Sequence, residues 1–264
     1  MPLPPPTGIA VTRRAALAAS AAFAALAACR GATDPVPVAD PLTTRVESAA
    51  HVYVMAAGDR VDTTRHEAHF RWLTATLGAA PPGRIEYRKY RDRAHMERLT
   101  GRATNGFAEP EAGRVHSIWA WDGHEEVHAV VVPAFGEPPA LFNEGVAVAL
   151  TTDPFEGDLV PRWNGTPVDT IAARLDASGQ LPALGALVES RAFFATSDQV
   201  TYPVSGSWVR YLLERRGGVA PFRALLAGGS WNQSAAATRA RFRAAYGVEL
   251  DSAWADWRRA LRAR

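Results

Sequence analysis

The stretch around Val127 constrains this chain more than any other. His124-Glu125-Glu126-Val127-His128 opens a segment that continues as Ala129-Val130-Val131-Val132, with Trp119 and Trp121 just before it. A helix this apolar belongs in an interior. An interior does not accept two imidazoles and two carboxylates without a partner that offsets their desolvation. Residues four apart lie on one helix face, so His124 and His128 can reach a single cation. Glu125, beside the first imidazole, is placed to take a proton from water held at the same point. A polar patch on a surface helix is the alternative, and the flanking valines speak against it. Glu126 falls on another side of the helix and is expected to tolerate replacement by Gln with little loss.

A third ligand strengthens the reading of this HExxH motif. Pro133, Pro138 and Pro139 force the chain out of the first helix before Leu141-Phe142-Asn143-Glu144-Gly145-Val146-Ala147 starts another. Glu144 falls near the start of that helix, and Gly145, Ala147 and Ala149 are small enough for close helix–helix approach. A lone first-turn acid more often faces solvent. Combined with HExxH it completes two His and one Glu, the ligand set of a catalytic zinc with an open position for water. The chain holds one cysteine, Cys29, which excludes a disulfide framework and any multi-cysteine metal site. Any metal must be held by His and carboxylates.

The remaining composition narrows the class. With 264 residues, 47% hydrophobic, the chain can bury a sizeable core. The net charge is +2, and acidic residues are spread among the arginines without a basic block, so nucleic-acid binding has no support. Arg13-Arg14 precedes an apolar run, Ala15 to Ala28, which is too short to span a bilayer but suits a secretory signal. Leu26-Ala27-Ala28-Cys29 resembles a bacterial lipobox. The expectation is a signal peptide over 1–28, lipidated Cys29 with a proline-punctuated tether over 29–43, and a folded domain over 44–264. That implies an exported protein attached to a membrane of the bacterial cell envelope through Cys29. Whether the Arg pair marks twin-arginine or ordinary export stays open.

Within the folded part, His51–Met55, Arg84–Tyr90 and Val115–Trp121 read as strands, and Asp62-Thr63-Thr64 caps a helix running to about Leu77. A short helix covers Asp92–Thr100, and Asn105-Gly106-Phe107 reads as a turn. After Trp121 the pattern is helical, over roughly 123–132, 140–151, 166–177, 204–216, 220–227, 234–245 and 250–263. Strands first and helices afterwards predict an α+β fold, a small N-terminal sheet beside a mostly helical C-terminal part.

HExxH followed by a Phe-x-Glu-Gly-x-Ala segment resembles the gluzincin metallopeptidases, most closely the small peptidase MA-like domains of bacterial envelope proteins. Ser48 to Tyr90 is similar to their amino-terminal half, Tyr202 to Leu212 to a later helix, and Phe242 to Leu261 to their closing helices. The resemblance implies a zincin-like fold, one Zn2+, and hydrolysis of a peptide or protein substrate. It assigns the metal to His124, His128 and Glu144 and the base to Glu125. Thermolysin-like enzymes carry an acid four positions after the ligand glutamate; here that position is Val148, so support for the imidazoles must come from elsewhere. Asn143-Glu144-Gly145 is also similar to zinc aminopeptidases, but their Gly-x-Met-Glu-Asn motif is missing.

Hydrolysis also needs a donor to the oxyanion. Tyr202 precedes the helix that such enzymes bring back over the cleft and is the candidate; its other reading is an aromatic packed beneath Pro203. Tyr211 reads as core, and His116 as a sheet-face histidine. His66 and His69, flanked by Arg65 and Arg71, read as a solvated face; His51 and His95 suggest no function. Trp254 and Trp257 read as core. Two functions remain, a zinc peptidase and an inactive zincin scaffold that binds a partner. Retention of Glu125, which only catalysis needs, favours the peptidase.

Overall fold

The computed structural model describes residues 41–263. The expected signal peptide, Cys29 and most of the tether lie outside the described residues. Folding begins with β1 (Leu42–Glu47), two residues before the boundary expected at Thr44. It runs antiparallel to β2 (His51–Ala56), and that pairing takes Leu42 into the sheet opposite Ala56. β3 (Ile85–Lys89) and β5 (Arg114–Ser117) follow in parallel, and β4 (Gly106–Glu109) closes the edge antiparallel to β5. The order is β1-β2-β3-β5-β4. Parallel neighbours require crossovers, and α1 (Thr63–Leu77) supplies the first one.

Register explains the core face. Tyr53 sits opposite Tyr87, and Tyr87 opposite Val115, and all three are fully buried. α1 is capped by Asp62, whose Oδ1 accepts from the Arg65 amide at 3.0 Å, and stops at Gly78, which takes the left-handed conformation that ends helices. Its inward residues are His66, His69, Leu73 and Leu77. α2 (Arg93–Thr100) leads into β4, which takes the place of the turn expected at Gly106-Phe107. β5 ends at Ser117 rather than Trp121, because Ser117 Oγ turns back to Asp122 at 2.8 Å and accepts from the Trp119 amide at 3.1 Å.

The helical part begins with α3 (Gly123–Phe135), which continues through Pro133, and α4 (Ala140–Leu150), every residue of which is buried. Strands do not stop there as expected: β6 (Arg162–Trp163) and β7 (Thr166–Pro167) form a hairpin. Asn164 and Gly165 both have positive φ, 49° and 78°, the requirement of a type I′ turn. α5 (Val168–Ala177) and the short α6 (Ser190–Ala195) lead to α7 (Asp198–Arg215), which starts ahead of Pro203 rather than after it. α8 (Val219–Leu226), α9 (Ala235–Tyr246) and α10 (Leu250–Arg262) complete the chain. Trp208 of α7 anchors this half, with Trp254 at 5.3 Å, Trp257 at 5.8 Å and Phe242 at 6.1 Å between ring centres. The fold is α+β, a small mixed sheet followed by helices. Among the described residues no helix is long and apolar enough to cross a membrane.

Candidate metal centre

α3 is started by Asp122, whose Oδ1 accepts from the Glu125 amide at 3.3 Å while Oδ2 accepts from Ser117 Oγ. One turn of this helix separates His124 from His128. Glu144 arrives from α4, which packs closely on α7 because of two glycines. A Cβ on Gly145 would lie 2.6 Å from Val209 of α7, and one on Gly206 of α7 would collide with Val148. Val148, at the position where thermolysin-like enzymes carry an acid, is therefore a packing residue between α4 and α7. Asn143, the residue before Glu144, is buried, with its carbonyl oxygen unpaired.

The three donor atoms form a near-regular triangle. His124 Nε2 lies 3.2 Å from Glu144 Oε2, His128 Nε2 lies 3.4 Å from the same oxygen, and the two nitrogens are 3.3 Å apart. Tetrahedral zinc with bonds of about 2.0–2.1 Å places its ligand atoms about 3.3–3.4 Å apart, so these residues fit that ion without rearrangement. The same groups make an electrostatic unit without it. Burial alone would push His128 down, but the Glu144 carboxylate overrides it and holds the imidazole at about 9. Burial would likewise raise Glu144, and His128 and then His124 draw it well below the usual carboxylate range. Glu125 is not part of the triangle. Burial lifts its carboxyl to about 7, with Asp122 adding to the rise and His124 opposing it.

A cleft runs over this centre. Gly106 on edge strand β4 borders it, and a Cβ there would stand 2.6 Å from Asp122 Oδ2 and 3.1 Å from Glu125 Cγ. The glycine thus lets the strand pass directly beside Glu125. Tyr202 closes the other wall, stacked on the His124 ring at 5.8 Å and backed by Trp163 at 4.9 Å and Phe193 at 6.0 Å. Burial first, then the Glu144 and Glu125 carboxylates, push its phenol well above the ordinary value, so it stays protonated and can donate. The position facing the cleft, rather than beneath Pro203, is the one observed. His116 is held away, between Tyr90 and Phe107, with Tyr90 Oη 2.8 Å from Nδ1. Tyr211 packs on Trp208.

Behind α3 lies a cluster that the sequence reading gets wrong. His66 and His69 are fully buried, not a solvated face, and Glu126 is 1% exposed, not a tolerant surface acid. Glu126 Oε1 is 2.7 Å from His51 Nε2, and Oε2 is 2.6 Å from His69 Nδ1 and 3.7 Å from His66 Nδ1. His51 Nδ1 faces Glu67 at 2.9 Å, and His69 Nε2 faces the Leu150 carbonyl at 2.9 Å. Each of these two rings meets an acceptor at both nitrogens, so each must donate twice and is an imidazolium. Burial opposes that state, and Glu126, joined by Glu67 at His51 and by the Leu150 carbonyl at His69, outweighs it in both. The short distances are those of hydrogen bonds, unlike the wider triangle in front. His95, in α2, is also buried, against Tyr90.

No protein-family description matches the chain, and no curated protein sequence matches it. Solved structures similar to it include a mutant of the M1 zinc metallopeptidase from Deinococcus radiodurans, at TM-score 0.48 and 16% identity. A second structure of that mutant, bound to a Tyr-Ser-Ala substrate, gives TM-score 0.47 and 16% identity. Each covers 83% of this chain and 51% of that chain. This chain therefore spans about half the length of that protein. The chemistry of the site rests on its own residues.

Proposed function

We propose that this protein is a zinc-dependent peptidase of zincin-like fold, held in the bacterial envelope by lipidated Cys29. One observation carries the reading: two imidazole nitrogens and a carboxylate oxygen meet in a triangle of 3.2–3.4 Å with a free carboxylate, Glu125, next to it. His124, His128 and Glu144 would hold the zinc. When bound, zinc acts as a Lewis acid on the peptide carbonyl and lowers the pKa of water toward about 7. Glu125, unengaged by the ligand triangle, accepts the proton of the attacking water and returns it to the leaving amine. Tyr202 donates its hydroxyl hydrogen to the oxygen that becomes negative in the tetrahedral state. The resemblance of the HExxH and Phe-x-Glu-Gly-x-Ala segments to peptidase MA-like domains supports the same reaction.

Metal analysis beside the Glu125→Gln form tests this reading. The wild-type protein is expected to bind about one zinc and cleave unfolded protein. Glu125→Gln should keep zinc and fold while cleavage drops roughly a hundred- to ten-thousand-fold. His128→Ala or Glu144→Ala should lose the metal. Equal activity of wild type and Glu125→Gln overturns the mechanism. Full zinc occupancy in either ligand variant overturns the ligand set. A wild type that holds zinc but cleaves nothing is a scaffold.

A further inference from the structure

We infer that His69 is a positioning residue for the metal centre: from the side away from the metal, it ties together the two helices that carry the ligands. The inference rests on the zinc reading above and names what fixes the geometry of that site. His124 and His128 belong to α3 and Glu144 to α4, so the triangle keeps its 3.2–3.4 Å edges only while both helices keep their places. A functional constellation of this kind tolerates about 0.5 Å of misplacement. Behind the two helices stands one imidazole with a bond to each. His69 Nδ1 lies 2.6 Å from Glu126 Oε2 on α3, and Nε2 lies 2.9 Å from the carbonyl of Leu150, the last residue of α4.

The bridge is stiff. Both of its partners accept, so the ring donates from both nitrogens and neither is free to leave. Glu126 stands roughly 160–200° round α3 from the two ligand imidazoles, so holding it fixes the rotation that aims them at the metal. Its other oxygen is 2.7 Å from His51 Nε2. His51 Nδ1 faces Glu67, which in turn accepts from Ser48 Oγ at 2.6 Å and from the Ala50 amide at 3.1 Å. Both oxygens of Glu126 are thereby anchored. The His69 ring is fully buried, edge-on to Trp121 at 5.6 Å and beside Trp72 at 5.9 Å. The first residue of α3 is Gly123, and a Cβ there would come within 3.3 Å of His69 Cε1. Helix α3 therefore starts against this ring. His69 acts through Glu126 and the Leu150 carbonyl, not on the metal itself.

The test measures zinc affinity of the full chain by chelator competition, and the visible spectrum after cobalt(II) replaces zinc, which reports ligand geometry. Two variants each keep half of the bridge. An Asn amide nitrogen stands near the place of Nδ1 and still serves Glu126; a Gln amide nitrogen stands near Nε2 and still serves Leu150. His69→Asn and His69→Gln should each weaken zinc about ten-fold, the lower end of the cost of losing a support around a metal, and shift the cobalt bands. Leu77→Ala, a core truncation on the same helix, should lower the melting temperature but leave both readouts at wild-type values. Wild-type affinity and spectrum in either histidine variant overturns the bridge. An equal loss in Leu77→Ala overturns it too, since destabilisation alone then accounts for the effect. If the histidine variants do not fold, Glu126→Gln, which frees the α3 end, must show the same weakening, and wild-type affinity there overturns the inference. A wild type that binds neither zinc nor cobalt overturns the metal reading itself.

Discussion

Replacing Glu126 by Gln removes one charge from a place where it serves two cations. In the native protein its two oxygens accept from His51 and His69 at 2.7 and 2.6 Å, and the carboxylate is 1% exposed. Gln preserves the shape and one acceptor. Its amide hydrogens, however, would point at a histidine that already donates. That imidazole must lose its proton or keep a buried, unpaired charge. Breaking one partner of a buried pair costs roughly 3–5 kcal/mol, and the acceptor retained by Gln argues for the lower end, about 3 kcal/mol. In a domain of this size each kcal/mol shifts Tm by about 2–4 °C, so Glu126→Gln should melt about 6–12 °C below wild type. Circular dichroism at neutral pH measures it. His69→Gln made in both backgrounds adds a cycle: the two changes should couple by more than about 1 kcal/mol, since they break the same contact. A Tm within about 1 °C of wild type, with additive effects, would refute the cluster's energetic role.

Tyr202→Phe should lower turnover by roughly ten- to a thousand-fold while zinc content stays the same, and wild-type turnover would return Tyr202 to a packing role. Gly206→Ala should destabilise by about 1–3 kcal/mol because its Cβ collides with Val148, and Val148→Ala in the same chain should recover much of the loss; no recovery in urea melts would show that the collision is not the cause. Asp176, buried against Arg262 and Arg258, is held below its ordinary value of 3.8, Arg262 being the larger cause. Its contribution is present above that value and vanishes as pH falls through the lower folded value, so Asp176→Asn should cost about 1 kcal/mol at neutral pH and nothing in strong acid; a pH-independent deficit would contradict this. Cys29→Ser should move the protein from the detergent phase to the aqueous phase, and unchanged partitioning would remove the lipid anchor from the proposal.

Local spacing made the centre readable. His124 and His128 are one turn apart whatever surrounds them, and Pro138-Pro139 oblige Glu144 to belong to a different helix, although Pro133 alone does not end α3. The Asn164-Gly165 hairpin was readable on the same grounds, since that dipeptide is the strongest short-range turn signal, yet two-residue strands carry no periodicity to accompany it. The α1 face was not readable. His66 and His69 lie three apart with Leu73 and Leu77 following at helical spacing, but two flanking arginines suggest the opposite orientation equally well.

Sequence alone therefore determined the elements whose signal is local: the HExxH helix, the second helix bearing Glu144, the α+β succession, and the candidate ligands. Tertiary structure decided what each of their other faces meets. Glu126 is functionally silent when read along the chain because its partners, His69 and His51, stand 57 and 75 residues away on α1 and β2. Tyr202 was undecided between cleft and core until α7 crossed α4 at Gly145 and Gly206 and set its ring on His124. Helix periodicity specifies which residues share a face. Only the packing of one element on another specifies whether that face looks toward water, toward the core, or toward a buried charge.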